Sequence, residues 1–317
     1  MTNNKEEYLM RENRKVTEPV VAITSNANEG DALVEALNLL PLDNLVQRGE
    51  TVVITPNWVK DKEPETGVVV GPETLRQLIR YFKDKNPGRL VVAAGSGGAA
   101  TPTVFEKIGY KSVIEEEEVE FIDLNYGPYT EEINLNHNAP ATTKLNKLFD
   151  ETDVLISFTQ IKVHEEATVS LGIKNIALGW PPAEIHGFPK KNTGIHTDLH
   201  NFIESMADKM AIDLTILSGD KGLVGTGPDG GKPVDTGLII AGTDPVATDV
   251  VGARLLGFRP QAIQYLDQLI RKKYGEGDLR RVTLKGIPLN EAEKSFSKAA
   301  FGKEIISDQK EILPLHI

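Results

Sequence analysis

Short, almost uniformly apolar runs punctuate this chain and alternate with amphipathic stretches. Val20-Val21-Ala22-Ile23-Thr24, Thr51 to Thr55, Arg89 to Ala94, Val119 to Leu124, Val154 to Phe158, Leu214 to Leu217 and Gly237 to Ala241 read as strands. A continuous apolar run of this length suits a strand buried on both faces, as in a parallel sheet covered by helices. Between the strands, Asp31 to Leu40 carries Leu33, Ala36 and Leu37 at helical spacing, with Asp31 as its cap. Leu75, Leu78, Ile79 and Phe82 form a second stripe after Gly71-Pro72. Further helices are expected around 103–108, 144–149, 200–210 and 260–274, and after the Asp244-Pro245 start, where Asp caps and Pro opens the first turn. Val282 to Leu284 is a last strand. The pattern predicts an α/β fold with a mainly parallel sheet flanked by helices. Residues 1–16 and 288–317 read as polar tails, and 17–287 as the α/β domain, with two lobes around a cleft as the alternative to one body.

Bulk properties bound the function. A chain of 317 residues has ample core, and 40% hydrophobic with 26% charged residues is ordinary for a globular protein. The net charge of -11 argues against nucleic acid and anionic membranes as partners. Cysteine is absent, which excludes disulfides, thiolate nucleophiles and cysteine-ligated iron–sulfur clusters. No apolar run approaches the roughly 20 residues of a membrane span. The N-terminal stretch is polar and mixed in charge, unlike a secretory signal. A cytoplasmic location is expected; the oligomeric state is left open.

Ligands of parallel α/β sheets gather at the carboxyl ends of the strands. That rule selects Asn57, Gly95 to Gly98, Asp123, Lys162, His164 and Asp220. Lys162, His164 and Lys174 stand out because they sit in an apolar segment, Phe158 to Trp180, where an unpartnered cation is costly. They point to an anionic or metal-bearing ligand, with Asn175 beside them. The ordinary alternative is a surface lysine, a loop histidine and a helix lysine. Gly95-Ser96-Gly97-Gly98-Ala99-Ala100 follows a strand, precedes a helix and has the G-x-G-x-x-G/A form. Gly95, Gly97 and Gly98 are therefore candidates for a nucleotide phosphate, with Asp123 for a ribose hydroxyl. Gly225 to Gly230 has the same letters but leads into a strand, so Lys221 to Pro233 reads as a mobile loop edging the cleft. His196 and His200 are four apart, and with His186 they are the candidate metal ligands. His137 and His316 read as surface residues.

Several segments together resemble the uncharacterised family numbered 362 among domains of unknown function. They are Gly49 to Asn57, Gln160-Ile161-Lys162-Val163-His164, Gly172-Ile173-Lys174-Asn175, Gly225 to Pro228 with Gly231, and Thr243 to Ala247 with Asp249. They occur in the family's order over roughly residues 17 to 260. The family usually has lysine before the Pro-Asn pair, where this chain has Thr55. Many members carry ferredoxin-type cysteines and are labelled iron–sulfur proteins, a label that cannot transfer to a chain without cysteine. More remotely, His164 and Lys174, ten apart, resemble the His…Lys element of nickel-pincer lactate racemases. That resemblance implies a lysine-tethered nickel cofactor and histidines that move protons or bind metal. His186 lies where a further histidine of that family is found, at a different spacing.

The leading expectation is an enzyme, or a degenerate one, acting on a small anionic substrate. Lys162 and Lys174 would hold the anion, His164 would act as general acid/base or ligand, and Asn57 and Asp220 would orient groups. The rivals are a non-catalytic module for a nucleotide or small acid, and a partner in a redox complex without its own cluster.

Overall fold

The structure is a computed structural model that describes residues 13–135, 139–190 and 194–307. His137, His316, most of the expected N-terminal tail, residues 191–193 before His196 and the last ten residues lie outside these ranges.

In chain order the first half contains β1 (Val20–Ser25), α1 (Glu29–Leu39), β2 (Thr51–Pro56), α2 (Pro72–Lys83), β3 (Arg89–Ala94), α3 (Thr101–Lys107), α4 (Tyr110–Glu116) and β4 (Glu120–Asp123). Two short strands follow, β5 (Ile133–Asn134) and β6 (Thr142–Thr143). The second half contains β7 (Val154–His164), β8 (Thr168–Ser170), α5 (Gly172–Gly179), α6 (Ala183–His186), α7 (Leu199–Ala207), β9 (Leu214–Val224) and β10 (Lys232–Asp235). It closes with β11 (Leu238–Gly242), α8 (Pro245–Leu255), α9 (Gln264–Arg271), β12 (Thr283–Gly286) and α10 (Leu289–Phe301).

One large sheet runs through the molecule in the order β12-β1-β11-β9-β7-β2-β3-β4. The segment β9-β7-β2-β3-β4 is parallel throughout. Antiparallel pairings join β11 to β9 and to β1, so the sheet is mixed and mostly parallel. Alternate residues of each central strand feed opposite cores. Val52 and Ile54 of β2 pack with Leu33, Leu37, Leu75, Ile79 and Phe82 on one face. Val53 and Leu155 pack with Ile173, Phe202, Ile203 and Val250 on the other. Helices α1 to α4 cover the first face and α5, α7, α8 and α9 the second. From β2 the chain winds through β3 to β4. After β7 it winds the other way to β9, on the opposite side of β2. The carboxyl ends of β2 and β7 therefore flank the place where strand order reverses, where α/β sheets open a crevice.

Several local features carry out their sequence signals. Pro72 opens α2, and its Leu75-Leu78-Ile79-Phe82 stripe is buried. Asp244 caps α8, its side chain accepting from Ala247 N at 3.0 Å, with Pro245 in the first turn. Other expectations are corrected. The strand read as Val154 to Phe158 continues to His164, and every residue of it is buried. Lys162 and His164 are therefore strand residues, not loop residues beyond a strand end. The cap of α1 is Asn28 instead of Asp31, because its Oδ1 accepts from Gly30 N and Asp31 N. The helix expected at 144–149 is a 3-10 turn at Lys147–Glu151, and that expected over 260–274 is a 3-10 turn followed by α9. The segment expected as a C-terminal tail contains α10, which buries Ala292, Phe296 and Ala300 at helical spacing. Lys221 to Pro233 is largely a hairpin, with Lys221–Val224 paired to Lys232–Asp235 and only the turn between them irregular.

Gly172, the first residue of α5, lies against β9. A Cβ there would stand 2.2 Å from Thr215 Cγ2 and 3.2 Å from Asp249 Oδ1. Gly172→Ala should therefore lower stability by about 1–3 kcal/mol, an overpacking effect. Denaturant unfolding with an unchanged midpoint would show that the helix and strand have room to separate.

Candidate functional site

The carboxyl ends of β2 and β7 open into a cavity of about 300 Å³. The β2 end supplies Pro56 to Lys60, the β3 loop supplies Gly95, Gly97 and Gly98, and β7 supplies Lys162 and His164. Helix α5 presents Lys174, Asn175, Leu178 and Gly179 from the side. Glu166, Pro189, Lys190, His196, Pro228 and Asp229 complete the rim. An ion pair of Lys60 with Asp229 and a hydrogen bond between Glu166 and His196 Nδ1 cross that rim. Gly227 allows the glycine turn to lie on the end of β7, since a Cβ there would meet the Val163 carbonyl oxygen at 1.9 Å.

Strand alternation puts Lys162 and His164 on the same face of β7. Lys162 is 1% exposed, and its Nζ donates to the Val68 carbonyl at 2.9 Å. Burial, reinforced by the nearby Lys174 ammonium, pushes its pKa down to about 7. Lys174 is 9% exposed and has no hydrogen-bond partner for Nζ among the described residues. Burial takes its pKa down to about 8, against the pull of the Glu166 carboxylate. The Val68 carbonyl favours the charged form of Lys162 and so works against the effect of burial.

His164 has a defined tautomer. Its Nδ1 lies 3.2 Å from both Glu166 N and Ala167 N, which donate to it. A nitrogen that accepts two amide protons carries none itself, so the ring proton is on Nε2. Burial first, then the Lys174 and Lys162 charges, hold the imidazole far below its ordinary pKa. It is therefore neutral and offers Nε2–H as a donor. The roles of general base and metal ligand expected for it do not suit this arrangement, because Nε2 has no lone pair to give.

The other expected residues divide. Asn57 lines the cavity, but its amide clamps the neighbouring strand-like segment, donating to Val68 O and accepting from Val70 N, each at 3.0 Å. The Asn175 amide nitrogen donates to Thr55 O at 2.9 Å and Ser157 Oγ at 3.1 Å, fixing α5 to the two strands. Both act as positioning groups. Asp220 lies away from the cavity. Between Ser218 and Leu223 the β9 register slips against β7, and this bulge directs residues 219–222 toward β10 and α1. Gly95, Gly97 and Gly98 do line the cavity, yet Ser96 N donates to Thr101 Oγ1 and Gly98 N to Val59 O. Those amides are already committed, and Asp123 accepts from Thr101 Oγ1 and Asn125 N instead of facing the cavity. Two of the loop amides are thus taken up within the protein, which leaves fewer for the nucleotide phosphate expected there.

The three candidate metal ligands also separate. His186 is buried with Nε2 2.6 Å from Thr143 Oγ1, outside the cavity. His200 accepts from Tyr265 N at 3.3 Å and stacks on the Tyr265 ring. Of the three, His196 alone reaches the cavity, paired with Glu166. No group of three metal-type ligands converges among the described residues. The residues present do not fit a histidine-held nickel centre.

Two contributors escaped the sequence reading. Lys190 is 3% exposed and donates to Gly95 O, Leu178 O and Gly179 O at 3.0–3.1 Å. Burial pushes its pKa down to about 7, while three carbonyls, two at the C-terminal end of α5, favour the ammonium. It ties the β3 loop to α5. Asp249, in α8, is fully buried and accepts from Gly172 N at 2.9 Å and Ile173 N at 3.1 Å. It caps α5 from another helix and so sets the position of Lys174. Its place in the resemblance to a known family was the one signal for it; for Lys190 there was none.

A mostly parallel α/β/α sandwich with a cationic crevice at its strand-order reversal is the class this architecture defines. The profile described as Domain of unknown function (DUF362) matches residues 52–254, well over half of the chain, and the protein belongs to that family. Among curated proteins, the thylakoid-associated protein sll1697 of Synechocystis sp. (strain ATCC 27184 / PCC 6803 / Kazusa) is 26% identical over 253 residues, covering 77% of this chain and 76% of that protein. No solved structure matches. Among the described residues, no helix is long and apolar enough to cross a membrane.

Proposed function

We propose that the crevice binds a small carboxylate- or phosphate-bearing molecule, and that the protein is an enzyme acting on it. The observation that carries this is Lys174, nine-tenths buried, its Nζ without a hydrogen-bond partner among the described residues, beside the buried cation of Lys162. Two close positive groups in a buried site repel one another, and an anion between them removes that cost. Lys162, anchored on Val68 O, and the His164 Nε2–H would grip the anion; Lys174 would complete the grip and hold or move a proton. A cavity of about 300 Å³ is at the small end of ligand sites, which favours a ligand of few heavy atoms. The fixed tautomer of His164 favours one rival, a non-catalytic binding module, because the histidine on the same strand as Lys162 then cannot take up a proton. Turnover of a bound acid separates the two.

Calorimetry with propionate and with inorganic phosphate tests the site. Lys174→Ala should weaken binding by about 2–5 kcal/mol, since the anion loses one of its two cations in a desolvated site. His164→Ala removes a neutral donor and should cost about 0.5–1.5 kcal/mol. Equal affinities in wild type and both variants would remove the crevice as the binding site.

A further inference from the structure

Resting on the anion crevice proposed above, we propose that Lys174 is an imine-forming lysine and that the site takes small oxo acids, molecules with a carbonyl next to or near a carboxylate. The two lysines differ in a way that assigns their roles. Lys162 Nζ is held by the Val68 carbonyl at 2.9 Å, in the geometry of an ammonium donating to an acceptor. It suits the carboxylate. Lys174 Nζ has no such partner among the described residues, so nothing ties up its lone pair. Nearly all of its side chain is buried, and Pro56, Leu178 and Pro189 line the same cavity. A desolvated lysine beside a second cation is the arrangement that keeps an amine neutral and nucleophilic. Burial lowers the pKa of both lysines, to about 7 for Lys162 and about 8 for Lys174, so it is the Val68 carbonyl that separates their roles. The Nε2–H of His164 is a donor that cannot accept a proton, suited to polarising a carbonyl oxygen and unsuited to quenching the amine.

The step balances without an oxidant or reductant. The Nζ lone pair forms a bond to the carbonyl carbon, and the C=O π pair moves to oxygen, which takes a proton. Nitrogen gives up one proton to form the carbinolamine; the hydroxyl takes a second proton, the C–O bond breaks and water leaves as the nitrogen lone pair closes the C=N bond, and nitrogen then gives up its remaining proton. Amine and oxo acid become imine and water. The imine draws electrons from the adjacent carbon, which permits loss of a proton or of carbon dioxide from it.

The test uses the full chain with pyruvate and cyanoborohydride, followed by peptide mass spectrometry. Propionate, which lacks the carbonyl, serves as competitor and as a separate binding probe. The expected result is one reduced pyruvate-derived group per chain on Lys174, suppressed by propionate and absent in Lys174→Arg, which keeps the charge but not the nucleophile. Lys162→Met should reduce the adduct at least tenfold while leaving Lys174 the modified residue. An adduct on Lys162, or labelling scattered over surface lysines and insensitive to propionate, overturns the proposal. Propionate binding without any pyruvate adduct overturns imine formation and leaves the anion crevice standing. Failure of propionate and pyruvate alike to bind removes both.

Discussion

Propionate should bind this protein less tightly as the pH rises from about 7 to about 9, by about tenfold or more, with uptake of protons from the buffer. Propionate itself is fully ionised across that range, so the change belongs to the protein. Without ligand, burial holds the Lys162 and Lys174 ammoniums down to about 7 and about 8. A bound carboxylate favours the charged form of both and raises their pKa values. A group whose pKa rises on binding takes up a proton wherever the pH exceeds its free value. Affinity is thus fully present below the free pKa and falls by up to about tenfold per pH unit above it, for each lysine involved. Measuring the binding enthalpy in two buffers of different ionisation enthalpy counts the protons; approximately one or more should be taken up at about pH 9. Lys174→Arg, whose side chain stays charged, should flatten the profile. A pH-independent affinity with no proton uptake would mean that neither amine meets the anion. The same lysines act on folding with the opposite slope. Their folded-state pKa values lie below the unfolded value, so unliganded protein should lose stability as pH falls from about 10 toward 7.

How far the fold could be read follows from where the burial signal is local. β2, β3 and α2 announce themselves because each buries an unbroken run or a single stripe. The Asp244-Pro245 start of α8 is legible because cap and first-turn chemistry are matters of a few adjacent residues. The far half of β7 is not. Thr159, Gln160, Lys162 and His164 break the apolar run, and they are buried by the cavity, the Val68–Val70 segment and β8, none of which is adjacent in sequence. Two of the polar letters that hid the end of the strand, Lys162 and His164, line the cavity. α10 is missed for the converse reason. Its exposed charges dominate the composition, while its core contact depends on Ala292, Phe296 and Ala300, one small step of side chain at a time. Among the site residues, Lys162, His164 and Lys174 could be found because a cation in an apolar segment is anomalous in itself. Asp220 misled because the bulge in β9 is invisible to a strand-end rule. The histidine pair at 196 and 200 misled because spacing fixes a face, not a partner: His200 turns to Tyr265.

Asp249→Ala should destabilise the protein by about 2–4 kcal/mol and weaken anion binding without touching the cavity. Helix α5 starts at Gly172, and its N-cap residue Leu171 provides no side-chain cap. Its first two amides, Gly172 N and Ile173 N, donate to the two carboxylate oxygens of Asp249. Removing the carboxylate removes the cap and leaves both donors buried and unsatisfied, at about 1–3 kcal/mol each before relaxation; relaxation and water entry recover part of this. Lys174 and Asn175 lie in the first turn of the same helix, so a loosened start displaces the amine that the anion needs. Asp249→Asn separates charge from geometry. Its single carbonyl oxygen can serve one amide, while its NH2 opposes the other, so an intermediate loss is expected. The pH dependence tells the two effects apart. Burial raises the Asp249 pKa to about 7, above its unfolded value, partly offset by the two amides. A raised carboxyl pKa means that the folded state holds the proton longer, so this group's contribution to stability is greatest below the unfolded value of about 4 and declines as pH rises toward 7. Denaturant unfolding at several pH values should show that decline in wild type and its loss in Asp249→Asn. An alanine variant as stable as wild type, with propionate affinity unchanged, would show that α5 holds its start without Asp249 and that the carboxylate does not position Lys174.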